Sequence, residues 1–479
     1  MPILSQTLSH TNNLIHGCKV ALSNATPRIQ MFFVANCIKL IAFMFTGLAG
    51  FFSFQPLVLG TSVILFLWLV LMLAIALPQA SVLLTAYQYW LKQAYKASLA
   101  ILAVAICISV LSISTVMVWN VVKPASLPSI ASGLVDTMSN SYDSTSFSIQ
   151  ATENLLAGKN PYSHANIVTA LDASPDAYTR LTPLRTGAFA DSFPYPTPDE
   201  LKSVWGMTIS NPDVPPQEIE TKFNYPAGSF LLLAPFIAVG ISDIRIILII
   251  LLLPTVIYTA KRIAPRKRWY FVLGILLSCE LLTLIFSADT KLLCLPFILA
   301  GWFTASRRPY LSAIFIGIAV ATKQTAWFLL PFYLILIWKI INLRLAIRGG
   351  IIVCAVFFFI NAPFIIADHH LWLSSVLAPM VDPMFPLGDG LVTLVVTGII
   401  PLDSPILFTV MEVTAFVLCI LWYLRHARRY PHTGLILSLV PIFFAWRSIM
   451  SYFCCIDTVL LASILSKEET CHEPNQVTA

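Results

Sequence analysis

Apolar runs able to cross a bilayer recur along most of this chain, and they constrain its fold more than any other feature. They fall near residues 31–53, 57–77, 97–119, 244–260, 269–287, 291–305, 310–322, 324–338, 350–366, 404–424, 433–446 and 449–465, about twelve spans with several of them short. A run of about 18 or more apolar residues reads as a spanning helix, because hydrocarbon offers no water to an unpaired backbone. Composition agrees: 58% of the 479 residues are hydrophobic and 11% charged, with mean hydropathy +0.82, whereas an ordinary domain carries about 25% charged residues. A soluble enzyme, a disordered tail and a nucleic-acid-binding module are excluded. The expected fold class is an all-α polytopic membrane bundle.

The net charge of +6 reflects charges sorted across a bilayer rather than a polyanionic partner. Basic residues collect in short loops: Lys92 and Lys96; Lys261 to Arg268; Arg307 and Arg308; Lys339, Arg344 and Arg348; Arg425, Arg428 and Arg429. Cytoplasmic loops are enriched in Lys and Arg. All these loops share that face if both termini are cytoplasmic and the apolar piece at 226–240 is an interfacial or re-entrant helix. The opposite face then receives 17 of the 23 acids. The expected organisation is an N-terminal membrane hairpin and cytoplasmic loop (1–96), a main membrane domain (97–465) and a cytoplasmic tail (466–479). The main domain includes a long extracytoplasmic loop at 120–225, after the third span. A second outward segment, Asp368 to Asp403, holds an apolar piece, Leu391 to Ile400, too short to span.

Most cysteines lie inside apolar runs and none lies in 120–225, so a disulfide framework is not expected. Cys454 and Cys455 read as small apolar fillers. No cleaved leader is expected, since the first apolar run lacks a small-residue cleavage site.

Within the long loop, Ser144 to Ala157 reads as a helix, with Phe147, Ala151 and Leu155 at four-residue spacing and Gly158 placed to end it. Asp143 stands just before it and fits two roles. It can cap the helix by accepting an amide hydrogen bond, or serve as a general base at the membrane surface. Beyond the helix come Leu155-Leu156-Ala157-Gly158-Lys159-Asn160-Pro161-Tyr162 and, later, Asn224-Tyr225-Pro226. Turn and helix-start chemistry accounts for these locally.

An acid, a helix ending in Leu-Leu-x-Gly-x-Asn-Pro-Tyr, and a Tyr-Pro helix start after a long loop together resemble the GT-C superfamily of polytopic glycosyltransferases. The resemblance is to the family 87 polyprenyl-phosphate-mannose-dependent mannosyltransferases. Asp289 in Ser287-Ala288-Asp289-Thr290 matches a recurrent acid, and Ala321-Thr322-Lys323-Gln324 resembles a lysine-containing helix junction. Pro386-Leu387-Gly388-Asp389-Gly390 and Ala445-Trp446-Arg447-Ser448 are similar to blocks in bacterial relatives. The likeness covers roughly residues 130–450. There are departures: Asp143 follows the third span rather than the first, Ala227 replaces a second proline, and Gln324 stands where proline is frequent.

The resemblance implies an integral membrane glycosyltransferase in a GT-C-like fold. It would use a polyprenyl-phosphate sugar donor and a glycan or lipid acceptor, act on the extracytoplasmic face and need no cofactor. Asp143 and Asp289 would be catalytic. Lys323 and Arg447 would hold the phosphate, with Asn160, Tyr162, His164, Tyr225, Pro226 and Gln324 shaping the substrate cleft. A bacterial plasma membrane is expected, partly because the sequon Asn24-Ala25-Thr26 falls on the cytoplasmic side.

Other polar residues have plainer readings. His369 and His370 lack helical ligand spacing for a metal. Lys39 is expected to snorkel, and Arg245 begins a span beside the interfacial helix. Glu280, Glu412 and Asp457 fall inside spans, where an ionised carboxylate costs about 2.5 to 3.5 kcal/mol on insertion scales. They either brace the bundle or relay protons, and the latter is the sequence's best case for a transporter or flippase.

Overall fold

Residues 23–52, 55–77, 79, 84–122, 143–212 and 216–466 are described by the computed structural model, so Asp136 of the long loop and the tail beyond 466 lie outside the described residues. The chain is mostly helical. Six helices are long and apolar enough to cross a membrane: Pro27–Thr46, Pro56–Ala76, Gln88–Leu111, Ile244–Arg262, Leu343–Ala367 and Ile406–His426. A seventh candidate is Pro265–Leu276 joined to Cys279–Phe286 across a 50° bend. The remaining apolar windows become helices of 10–17 residues, so about twelve apolar segments yield six full-length rods among the described residues. The difference is physical. Polar residues break one helix and start the next where they can satisfy the new helix's first amides, as Ser278 does for Leu281 (3.3 Å) and Asp289 for Lys291 (2.8 Å). The long rods present unpartnered apolar faces; Phe359 and Ile366 are each 83% exposed, as lipid contact requires.

The basic loops gather at one end. Arg348 donates to the Tyr310 hydroxyl (3.3 Å), Arg428 to the Lys339 carbonyl (3.2 Å), and Arg262, Arg307 and Arg308 line one cavity. Both flanks of the 226–240 segment are tied to the other end: the Ala227 amide donates to Asn361 Oδ1 (2.9 Å), and Arg245 donates to the Phe286 carbonyl (2.6 Å). Between those flanks lie two short helices, Gly228–Leu231 and Ala234–Ala238. A Cβ on Gly228 would sit 2.5 Å from the Ala321 carbonyl oxygen, so glycine permits this segment to press against the Pro309–Thr322 helix.

The described part of the long loop is a folded layer with its own core. Phe147, Tyr162, Phe189, Trp205, Phe223 and Phe230 are buried together there with Phe364 and Trp372. Trp205 donates its indole N–H to the Ser174 carbonyl (2.8 Å), satisfying the one polar atom that its burial strands. The Pro198–Ser210 helix starts on a capping box, Thr197 with Glu200. The layer docks through threonines of the Asp143–Leu156 helix: Thr145 donates to the Ala288 carbonyl (2.7 Å) and Thr152 to that of Phe230 (3.3 Å). That helix ends as expected, with Gly158 at φ +74° and the Lys159 amide returning to the Asn154 carbonyl (2.8 Å).

Lys39 does not snorkel. Its ammonium is buried against Glu280 (2.8 Å) and Asp457 (3.6 Å), donates to the Phe453 carbonyl (2.7 Å) and sits 4.0 Å from the Trp68 ring centre. Two acids on separate helices supply the counter-charge, which makes burial cheaper than reaching for headgroups. Cys454 is more than a filler, because its thiol donates to Glu280 (2.9 Å). The eight cysteines among the described residues are all free.

Replacing Gly228 by Ala forces backbone against backbone and is expected to destabilise the protein by about 1–3 kcal/mol. Gly206 has open space around it, and Gly206→Ala should be neutral or slightly stabilising. Thermal unfolding of both variants in detergent tests the contrast.

Candidate active site

Asp143, Asp289, Lys323 and Tyr225, all singled out in sequence, meet at the end of the bundle opposite the arginine-rich loops, with Arg447 nearby. Asp143 opens the Asp143–Leu156 helix, half-buried, with Oδ1 accepting from the Ser144 amide (2.6 Å) and Oδ2 from the Thr182 hydroxyl (3.0 Å). The Thr145–Ala288 bond holds that helix start against Asp289. Asp289 is 1% exposed, caps the Thr290–Cys294 turn and lies 3.7 Å from the Lys291 ammonium. Lys291 also bonds Ser451 and lies over the Tyr452 ring.

Lys323 follows the Pro309–Thr322 helix and is fully buried, its ammonium 3.2 Å from the centre of the Tyr225 ring. It has no hydrogen-bond partner among the described residues. Burial pushes its pKa down to about 7, opposed first by Asp289. Tyr225 bonds Ser144, and burial together with the fields of Asp143, Tyr452 and Asp289 drives its hydroxyl far above its ordinary range.

Arg447 is placed by its neighbours. Arg447–Ser448 pairs in parallel with Leu387–Gly388, so two separate sequence blocks form one ladder. Gly388, at φ +130°, supplies a backbone conformation that other residues rarely adopt. Asp389 is buried and locks the ladder, accepting from Thr46 (2.7 Å) and the Met450 amide (3.0 Å). Arg447 Nη1 is buried with no hydrogen-bond partner among the described residues. Tyr195 feels both this guanidinium and Asp143: burial raises its hydroxyl, Arg447 opposes and Asp143 adds to the rise. Burial lowers the pKa of Arg180, opposed first by Asp172 and then by Asp143.

The other expected site residues have scaffold roles. Tyr162 is 4% exposed, packs edge-on against Phe223, Phe230 and Phe364, and donates to the Tyr225 carbonyl (2.9 Å). Gln324 spends its amide on the carbonyls of Asn224 and Val376. Pro226 accepts from Ser229 (2.7 Å) at the start of the 226–240 segment. Asn160 folds its side chain onto the Tyr162 amide (3.0 Å), and exposed His164 contacts Ser163 (2.9 Å). Both lie beyond the far end of the Asp143–Leu156 helix, about 20 Å along its axis from Asp143. These residues position the cleft from outside it, because their polar atoms already have protein partners.

Arg180, Thr182, Tyr195, Lys291 and Tyr452 belong to the cluster and went unnoticed in sequence. Only Lys291, two residues from Asp289, carried a local signal. No group of three or more His, Cys, Asp or Glu side chains able to hold a metal ion occurs among the described residues.

Chemically, the cluster offers a partly exposed carboxylate near two buried cations, Lys323 and Arg447, with donors that no described residue accepts. No protein-family model matches the chain, and no curated protein or solved structure is found to match it.

The folded pKa of Lys323 lies below its unfolded value near 10.4, so between about pH 7 and 10 the unfolded chain binds the proton more tightly and stability rises with pH. Lys323→Met should therefore unfold at a higher temperature than wild type at pH 7, with the gap closing by pH 10. A pH-independent gap in melts at the two pH values would contradict a charged, desolvated amine.

Proposed function

We propose that the protein is an inverting membrane glycosyltransferase of GT-C type, using a polyprenyl-phosphate-linked monosaccharide as donor and a hydroxyl of a glycan or lipid as acceptor. The observation that carries this reading is that the field of Asp143 reaches the buried ammonium of Lys323, that Tyr195 feels both Asp143 and Arg447, and that Lys323 Nζ and Arg447 Nη1 have no hydrogen-bond partner among the described residues. Buried polar groups are normally hydrogen-bonded, and two cations left open beside a base suit an anionic ligand that departs as a proton is taken.

In this mechanism Asp143 removes the acceptor's hydroxyl proton. The oxygen attacks the anomeric carbon from the face opposite the phosphate, the carbon–oxygen bond to phosphate breaks, and the bonding pair leaves with polyprenyl phosphate. Lys323 and Arg447 stabilise that leaving charge, which is worth most where water is excluded. Asp289 holds Lys291 and favours the charged form of Lys323. The site faces the extracytoplasmic side of a bacterial plasma membrane and both termini are cytoplasmic, as the arginine-rich end suggests. The shorter apolar helices complete about twelve spans.

A carrier is the second reading, favoured by the Lys39, Glu280 and Asp457 cluster at the bent span. Its adjoining cavity measures about 20 Å³, whereas one water needs about 10–15 Å³. It admits a water and no substrate, and its charges are already paired, so the cluster braces the bundle.

Asp143→Asn is expected to fold normally and lose about 10²–10⁴-fold in transfer, measured in liposomes with a polyprenyl-phosphate-linked sugar; wild-type rates in that variant would remove Asp143 from the mechanism. Glu280→Gln and Asp457→Asn should lower the melting temperature while leaving transfer within a few-fold. Abolished function in those two, with Asp143 dispensable, would favour the carrier.

A further inference from the structure

Two carboxyl groups meet where the folded layer joins the segment from Asp368 to Asp403. Three stretches of chain pair there: Pro183 bridges Ile219, Leu184 bridges Met384, and the Arg185 amide donates to the Pro383 carbonyl (2.7 Å). Glu220 lies at this seam, 3% exposed, with its own amide bonded to the Thr182 carbonyl (2.9 Å). Lys222 touches both acids: its amide donates to Glu220 Oε1 (2.8 Å) and its ammonium to Asp382 Oδ2 (2.7 Å). The Glu220 carboxyl also bonds that of Asp382. Two ionised carboxylates are both acceptors and repel one another, so this contact is a hydrogen bond only while one proton lies between them. Burial raises the Glu220 pKa to about 7; the Lys222 amide and ammonium oppose the rise and Asp382 adds to it. The Lys222 side chain is 41% exposed, which gives a released proton a path to water.

Each acid also leads to one arm of the site above. Thr182, bonded to the Glu220 amide, donates its hydroxyl to Asp143 (3.0 Å). Two residues beyond Asp382, the Met384 carbonyl accepts from the Trp446 indole (2.9 Å), next to Arg447. We propose that Glu220 and Asp382 share one proton and form a pH-responsive latch between the layer and the 368–403 segment, closed while the proton is held and loosened when water takes it. Opening it frees the arm that carries Asp143 from the arm that carries Arg447. The latch does not depend on the transfer reaction and is read without substrate.

Hydrogen exchange of the purified full-length protein in detergent, followed by mass spectrometry over residues 182–185, 218–222 and 382–385, tests it. A folded pKa above the ordinary carboxylate value of 4.5 means that the stabilisation is complete below that pH and is lost as pH rises through about 7. The opening constant of the seam should therefore rise about tenfold between pH 6 and 8, relative to Glu220→Gln at the same pH. A glutamine there donates to Asp382 and accepts from the Lys222 amide at every pH, so its seam should show no such rise. Should that variant not fold, Asp382→Asn supplies the donor from the other side and should abolish the rise in the same way. Glu153→Gln removes an exposed acid elsewhere in the layer and should keep the wild-type rise. Wild-type exchange that tracks the folded seam variant within about twofold across this range, or a rise lost equally in Glu153→Gln, overturns the latch.

Discussion

One hydrogen bond, from the Thr145 hydroxyl to the Ala288 carbonyl (2.7 Å), joins the layer to the bundle at the point where the candidate site forms. Asp143 lies two residues before the donor and Asp289 one after the acceptor, so this contact decides that two acids far apart in sequence share a neighbourhood. Ala288 accepts it with a left-handed backbone, φ +54°, a conformation unfavourable for a residue with a Cβ. The aromatic core around Tyr162, Phe223 and Phe230 and the ion pair of Lys222 with Asp382 (2.7 Å) hold the rest of the layer in place.

The two charged clusters of the molecule are built on opposite principles. Around Lys39, the ammonium is saturated: two carboxylates, a carbonyl and an indole face surround it, and a thiol donates to one of the carboxylates. Such a cluster contributes little net stability but is costly to break. Around Lys323, the cations Arg180, Lys291, Lys323 and Arg447 outnumber the acids Asp143, Asp172 and Asp289, and the Lys323 ammonium and Arg447 Nη1 have no hydrogen-bond partner among the described residues. A saturated cluster suits a brace, whereas an unsaturated one suits a ligand that brings negative charge.

Local rules sufficed for elements whose cause is local. The helix from Asp143, its glycine stop and the membrane character follow from spacing and hydropathy. The same rules could not tell full-length helices from short ones, since an apolar window does not reveal that Ser278 or Asp289 will end one helix and begin another. They also assigned Lys39 to the headgroups, because hydropathy cannot see that Glu280 and Asp457, more than two hundred residues away, converge on it. Tyr162 and Gln324 looked like cleft residues, yet each spends its polar atoms on distant carbonyls, a fact visible only once the chain is folded.

The sequence alone determined that this chain must satisfy its backbone inside hydrocarbon, that its charges segregate to two ends, and which few polar residues cannot be there by accident. Those properties depend on composition and order, which act over a helical turn or a bilayer thickness. The tertiary structure decided which of those residues meet. The ladder of Leu387–Gly388 with Arg447–Ser448 and the bond from Thr145 to Ala288 join segments far apart in sequence, and Tyr195 comes within the fields of both Asp143 and Arg447. Their pairing is set by packing and hydrogen bonding across the whole bundle, for which no local pattern in the chain is a proxy.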